Sequence, residues 1–446
     1  MKLIMKDRTY RTSQAVIKAW LVVVSMLLSF SAMATVEIQS WQTTSGAKVM
    51  YVQANQLPML DIEVAFDAGS ARDGENWGVA AMTSSLLGTT TSKLNEDQVS
   101  ETFNSIGAQI GSGVTRDSAS ISIRTLTRPE IMQTALNTFE TLISDTQFTK
   151  SIFDREMQRL KIGLKQKTVK PQVISNETLW KTLYGDHPYA HPSSGTLESV
   201  ETITLDRLKA FYKKYYVASN AVISIVGNVD KAQAKKIAEQ LMQNLPKGQK
   251  PPGLVAPNAI NKHKPITIDF DSTQTYYSLA QLGIERGHPD YAALFVGNHI
   301  LGGSGFGSLL MEEVREKRGL VYSVYSYFAP QKVAGPFLIG LSTKNASALE
   351  ADKVVRETLD GFLKDFTDEK LQAIKDNLIG GFPLRIDSNA KILGYISMIG
   401  FYGLPLDYLD WFPKQIEQVT KEDVLKAWNK HIKPDEMLQI MVGKPE

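Results

Sequence analysis

Thr204-Leu-Asp-Arg-Leu-Lys-Ala-Phe211, followed by Ser219-Asn-Ala-Val-Ile-Ser-Ile-Val-Gly227, has a counterpart near the C-terminus. There the chain reads Thr420-Lys-Glu-Asp-Val-Leu-Lys-Ala-Trp428 and then Pro434-Asp-Glu-Met-Leu-Gln-Ile-Met-Val-Gly443. In each copy the glycine lies 23 positions after the threonine, and the threonines are 216 positions apart. Each threonine is a good N-cap ahead of a helix with acidic residues in its first turn. An apolar strand follows and ends at glycine. Matched order and spacing indicate an internal duplication.

Between the copies runs Leu245-Pro-Lys-Gly-Gln-Lys-Pro-Pro-Gly-Leu-Val-Ala-Pro257, with four prolines and two glycines that break helix and sheet alike. The expected organisation is a first domain over 35–245, a linker over 246–262 and a second domain over 263–446. Strand-like runs such as Ala119–Leu126 and Phe337–Thr343 alternate with long helical patterns, which argues for sheet-and-helix layers in each half.

Residues 1–34 read as a cleavable export signal. Lys2, Lys6, Arg8, Arg11 and Lys18 form a basic n-region, Ala19 to Phe30 is an uncharged, mostly apolar run, and Ala32-Met33-Ala34 is a small-x-small cleavage site. The run is shorter than the roughly 20 apolar residues that span a bilayer. Cleavage would leave Thr35 first and move the net charge from +2 to −2. A near-neutral mature chain gives no electrostatic case for nucleic acid. The absence of cysteine excludes disulfides and lipoprotein modification, and suits an oxidising compartment. The expected location is the periplasm.

Several motifs resemble those of the pitrilysin/insulinase-like zinc metallopeptidases, or inverzincins. They are Gly185-Asp-His-Pro-Tyr-Ala-His-Pro-Ser-Ser-Gly195-Thr, Leu208-Lys-Ala-Phe-Tyr-Lys-Lys-Tyr-Tyr216, Leu301-Gly-Gly-Ser-Gly-Phe-Gly-Ser-Leu-Leu310 and Val314-Arg-Glu-Lys-Arg-Gly-Leu-Val-Tyr-Ser-Val324. The resemblance covers nearly the whole mature chain. It implies an α+β fold of two tandem homologous domains, each a largely antiparallel sheet covered by helices.

Active members of that family carry H-x-x-E-H on a helix. Histidines at i and i+4 share a helix face and reach one metal, and the glutamate handles the proton of metal-bound water. The matching segment here is Gly78-Val-Ala-Ala81-Met-Thr-Ser84-Ser85-Leu-Leu, with Ala81 and Ser85 at the histidine positions and Ser84 at the glutamate position. The later acidic ligand should fall near Lys161-Ile162-Gly163, where no residue is acidic. No H-x-x-E-H or H-E-x-x-H occurs anywhere in the chain. His187 and His191 are i and i+4, but Pro188 and Pro192 follow them and exclude a helix interior. This chain is therefore expected to hold no metal or other cofactor.

The glycine-rich Gly302, Gly303, Gly305, Gly307 stretch lacks the Lys-Ser/Thr of a phosphate loop and the G-x-S-x-G of a nucleophile elbow. Read plainly it is a flexible turn before a helix. The resemblance implies a loop that contacts peptide. It also singles out Arg315 and Tyr322, which match a pair that the family takes from its zinc-less half.

The resemblance thus implies a non-catalytic subunit. A partner bearing H-x-x-E-H would supply zinc, and this chain would supply Arg315 and Tyr322 around an unfolded peptide substrate. The alternatives are a scaffold or peptide-binding protein with no catalytic input, and a free-standing hydrolase with an unrecognised site. Arg315 could also simply pair with Glu312 on a solvated helix face, and Tyr322 could be plain strand packing.

Overall fold

A computed structural model of the chain describes residues 36–258, 264–364 and 366–446. The export signal read in residues 1–34 lies outside them. The first half comprises β1 (Gln39–Gln42), β2 (Lys48–Gln53), β3 (Met59–Phe66), α1 (Val79–Leu86), α2 (Glu96–Ser105), β4 (Gln109–Val114), β5 (Ala119–Leu126), α3 (Pro129–Ser144), α4 (Lys150–Lys167), α5 (Pro171–Tyr184), α6 (Leu197–Glu201), α7 (Leu205–Tyr215), β6 (Ala221–Gly227) and α8 (Lys231–Met242). The second comprises β7 (Ile266–Asp269), β8 (Gln274–Leu282), α9 (Tyr291–Asn298), β9 (Val321–Phe328), β10 (Pro336–Lys344), α10 (Ala348–Gly361), α11 (Asp368–Gly380), α12 (Asn389–Tyr402), α13 (Tyr408–Gln418), α14 (Lys421–His431) and β11 (Leu438–Gly443).

The duplication extends to the sheets. The first runs β1-β2-β6-β3-β5-β4 and the second β7-β11-β8-β10-β9. In each, the last strand of the half runs parallel to the first strand of the repeat, β6 beside β2 and β11 beside β7, and every other pairing is antiparallel. The two threonines do cap their helices: Thr204 Oγ1 accepts from the Arg207 N–H at 3.3 Å, and Thr420 Oγ1 from that of Asp423 at 3.1 Å. The glycine ending each repeat is required by close approach. A Cβ on Gly227 would run into the Met59 carbonyl, and one on Gly443 would lie 2.9 Å from the Gln274 carbonyl oxygen.

The two halves exchange helices. Strands β6 and β11 are buried on both faces, which is why they read as continuous apolar runs. Ile223 and Ile225 point into the first half's own core. The opposite face is covered by α12 from the second half, whose Gly400 sits so close that a Cβ would lie 2.6 Å from Met50 Cγ and 2.7 Å from Val222 Cγ1. Reciprocally, Leu179, Trp180 and Leu183 of α5 pack on Leu438, Ile440 and Val442 of β11 and on Ala280 of β8.

Polar groups close the same interface. The buried Asp117 carboxylate accepts from the Tyr189 hydroxyl on one side, and from Tyr402 Oη at 2.9 Å and the Lys332 N–H at 3.0 Å on the other. Asp67 receives Arg72 through two bonds of 2.8 Å and also pairs with the Lys332 ammonium. Burial pushes the Asp67 carboxyl up, but Arg72 and Lys332 outweigh it and hold it below the usual carboxylate value.

Candidate functional site

Helix α1 carries the segment that matches the zinc motif, and its start is fixed by buried groups. Asp73 accepts the Gly78 N–H at 2.7 Å and the Ala80 N–H at 2.9 Å. Gly78 adopts φ +100°, and a Cβ there would lie 2.9 Å from the Ser194 carbonyl oxygen. The His-Pro-Tyr loop packs on this start. The His191 ring stacks on Trp77 with centroids 5.2 Å apart, while His187 accepts the Tyr189 N–H on Nδ1 at 3.0 Å and meets the Val255 carbonyl through Nε2 at 2.9 Å. Both ring nitrogens of His187 are thus engaged within and beside the loop. A cavity of about 700 Å³ beside the loop is lined by Trp77, Ile174, Glu177, Lys181 and His187, among others. Its lining takes in His187 and His191 of the His-Pro-Tyr loop but none of Ala81, Ser84, Ser85, Arg315 or Tyr322.

The motif positions do not fit zinc. Ala81 offers a methyl group. Ser84 is buried, with its hydroxyl 3.4 Å from the Gly113 carbonyl oxygen of edge strand β4. Ser85 is exposed and donates to the Met82 carbonyl at 2.9 Å. Across from α1, helix α4 presents Lys161, Ile162 and Gly163. Lys161 lies 3.6 Å from Glu201, Ile162 is largely exposed, and a Cβ on Gly163 would meet open space. No imidazole or carboxylate therefore stands at the positions where two imidazoles and a carboxylate would be needed.

The other singled-out residues gather at the second sheet's edge. Residues His299–Gly303 and Met311–Glu316 are π-helical, a rare conformation that is frequent at functional sites, and they flank a short turn at Gly305–Gly307. The expectation of a flexible turn is corrected for its first half. A Cβ on Gly302 would strike the Ser326 hydroxyl, and one on Gly303 would lie 2.8 Å from Asn298 Nδ2, so these glycines serve close packing against β9 and α9. Only Gly305, at φ +67°, is required by the turn itself. Phe306 stands out at the tip, 68% exposed.

Arg315 does not pair with Glu312, whose carboxylate is 2.9 Å from Lys317 Nζ. Its guanidinium lies over the Phe306 ring, 4.7 Å from the centroid, and among the described residues it forms no ion pair. Tyr322 is not packing: it is 85% exposed, on edge strand β9. The register of β9 against β10 slips between Leu341 and Thr343, and this bulge puts Tyr322 and Ser323 outward together. Tyr325 and Tyr327 continue the exposed aromatic row, with ring centroids 6.0 Å apart. The π-helical turns and the bulge left no periodic signal in the sequence.

One feature escaped sequence reasoning altogether. Among the described residues, His288, Asp290 and His431 bring three metal-ligating side chains together. Only His288-Pro-Asp290 is local, and nothing in the spacing joins it to His431.

Comparison with known proteins agrees with this architecture. A profile described as insulinase, peptidase family M16, matches residues 48–197, and one described as the peptidase M16 inactive domain matches residues 202–378. A crystal structure described as the peptidase M16 inactive domain from Pseudomonas fluorescens is 40% identical, with a TM-score of 0.88, covering 92% of this chain and 98% of that one. A Helicobacter pylori protein named a non-peptidase homolog, YmxG, is 26% identical over 84% of this chain and 87% of its own length. A Bacillus subtilis protein named an uncharacterized zinc protease, also YmxG, is 25% identical over 80% and 86%. With both profiles matched in tandem and the paired sheets they require, the chain belongs to the insulinase family, peptidase family M16.

Proposed function

We propose that this protein is the zinc-less subunit of an exported, heteromeric M16 metallopeptidase, inactive alone, and that it supplies Arg315 and Tyr322 to a peptide held by a zinc-bearing partner. The observation that carries this reading is the pair's availability. Neighbouring Lys317 and Arg318 are both tied to Glu313, yet Arg315 has no carboxylate and Tyr322 no hydrogen-bond partner among the described residues. A guanidinium and a phenol left free on an exposed edge can meet the oxyanion that develops on an attacked carbonyl. Inactivity alone is supported by Ala81, Ser84 and Ser85, and by the names given to the Pseudomonas and Helicobacter relatives. The peptide would pair as an added strand in the partner's half, which tolerates many sequences. Export to the periplasm rests on residues 1–34.

The test is steady-state kinetics on the complex purified with its H-x-x-E-H partner. Tyr322→Phe removes one exposed hydroxyl and should leave folding unchanged. It should lower turnover by roughly 10²–10³, the scale for losing one oxyanion donor, mainly in kcat. Arg315→Ala should also raise KM if it grips the ground-state peptide. Unchanged kinetics in both variants, with intact complexes by size-exclusion chromatography, would leave only the scaffold reading.

A further inference from the structure

The beginning of α9 and the last turn of α14 meet at His288, Asp290 and His431, with one candidate ligand atom from each within 4.8 Å of the others. His431 Nε2 is 2.7 Å from Asp290 Oδ2, and His288 Nδ1 is 4.0 Å from the same oxygen. The imidazoles stand edge to face, centroids 4.9 Å apart. Asp290 occupies the N-cap position of α9, where an aspartate normally binds the helix N–H groups, yet its side chain makes no cap hydrogen bond. It turns to α14 instead.

The surroundings hold these groups in place. The Asp290 N–H donates to His288 Nδ1 at 3.0 Å, a bond that an ion taking that lone pair would displace. The His431 carbonyl accepts from Gln281 Nε2 at 2.6 Å, and the amide oxygen of that glutamine accepts the Lys433 N–H at 2.9 Å. Strand β8 therefore anchors the end of α14 beside the start of α9.

We propose that His288, Asp290 and His431 form a binding site for a divalent transition-metal ion of the zinc type, completed by water. Two imidazoles and one carboxylate are a borderline nitrogen and oxygen set that suits zinc. Bonds of about 2.0–2.1 Å put tetrahedral ligand atoms roughly 3.3 Å apart, so the trio needs only small side-chain adjustments.

Lys430 explains how the carboxylate is satisfied without metal. Its ammonium lies 2.7 Å from Asp290 Oδ2, and its side chain is 57% exposed, free to swing into solvent when an ion takes its place. The metal would clip residues 288–290 to the end of α14, across more than 140 residues of sequence. The site stands apart from the emptied motif on α1 and does not depend on the proposed catalytic role of this chain.

The experiment is calorimetric titration of zinc chloride into the chelator-dialysed full mature chain at neutral pH, with thermal melts alongside. One ion per chain should bind and raise the Tm. His288→Ala and His431→Ala should each weaken binding roughly tenfold or more, on the scale of disturbed metal sites. Lys430→Gln should tighten it by removing the competing ammonium. If His431→Ala does not fold by circular dichroism, His288→Ala and Lys430→Gln carry the test between them. No zinc binding by the wild-type chain, or binding that is indifferent to the His288 and Lys430 substitutions, overturns the proposal.

Discussion

At Ser84, matched by sequence resemblance to the glutamate of H-x-x-E-H, the hydroxyl is buried near the Gly113 carbonyl. Replacing Ala81 by His, Ser84 by Glu and Ser85 by His would restore the motif's letters and push a carboxylate into that packed spot. Without an acid near Lys161–Gly163 or partners to orient the imidazoles, the triple variant should hydrolyse no peptide on its own. A fluorogenic-peptide assay of the purified variant checks this, and turnover at the rate of the partner complex would refute it. A smaller effect tests the repeat signature. Thr420→Ala removes a reciprocal cap with Asp423 and should cost about 1 kcal/mol in a urea melt. The segment matched to the motif does lie on one helix, α1, but its match to H-x-x-E-H rests on the family resemblance and not on any periodicity of its own. The exposure of Tyr322 was not legible, because it depends on a register slip against β10, and a bulge leaves no mark in the sequence of the strand that carries it.

Among the elements, the strands were the most legible. Ala119–Leu126 forms β5 with alternating burial, and Phe337–Thr343 lies inside β10. The apolar runs ending at Gly227 and Gly443 are β6 and β11, the strands buried on both faces. The exchange of α5 and α12 could not be read. An apolar helix face states that something covers it, never which sheet, and α12 is apolar almost all round. The exchange predicts damage at a distance in sequence. Leu183 is 1% exposed and belongs to the first half, but it packs on the second sheet. Leu183→Ala should cost about 2–5 kcal/mol, and hydrogen exchange should quicken in β11, whose residues lie more than 250 positions later. Loss of protection confined to β2, β3 and β6 would contradict the packing described.

For the whole molecule, the linker and the duplication suggest two independent domains, whereas the buried contacts tie them into one folding unit. Asp67 is part of that tie. Its folded pKa is depressed, so its contribution is fully present above its unfolded pKa of about 3.9 and is lost as pH falls through the depressed value. Asp67→Asn should therefore destabilise the protein at pH 7, by about 3–5 kcal/mol for a broken buried pair, and by less at pH 3, below the unfolded pKa, where part of the charge-linked contribution is already lost. Urea melts at the two pH values measure the difference. A stronger expectation follows from the helix exchange. A fragment ending at residue 258 keeps the first sheet but loses α12, exposing the face of β6 and β2 that Val222 and Met50 line, and it leaves Asp117 without Tyr402 and the Lys332 N–H. A fragment starting at residue 264 loses α5 and exposes Leu438, Ile440 and Val442. Each would show water an apolar sheet face that burial on folding must cover. Expressed separately, both fragments should be aggregated or molten, and mixed during refolding they should recover one cooperative transition. Calorimetry of the intact chain should likewise give a single peak with van't Hoff and calorimetric enthalpies in agreement. Two resolved peaks, or a first-half fragment that folds cooperatively alone, would mean that the exchanged helices only decorate two domains already stable without them.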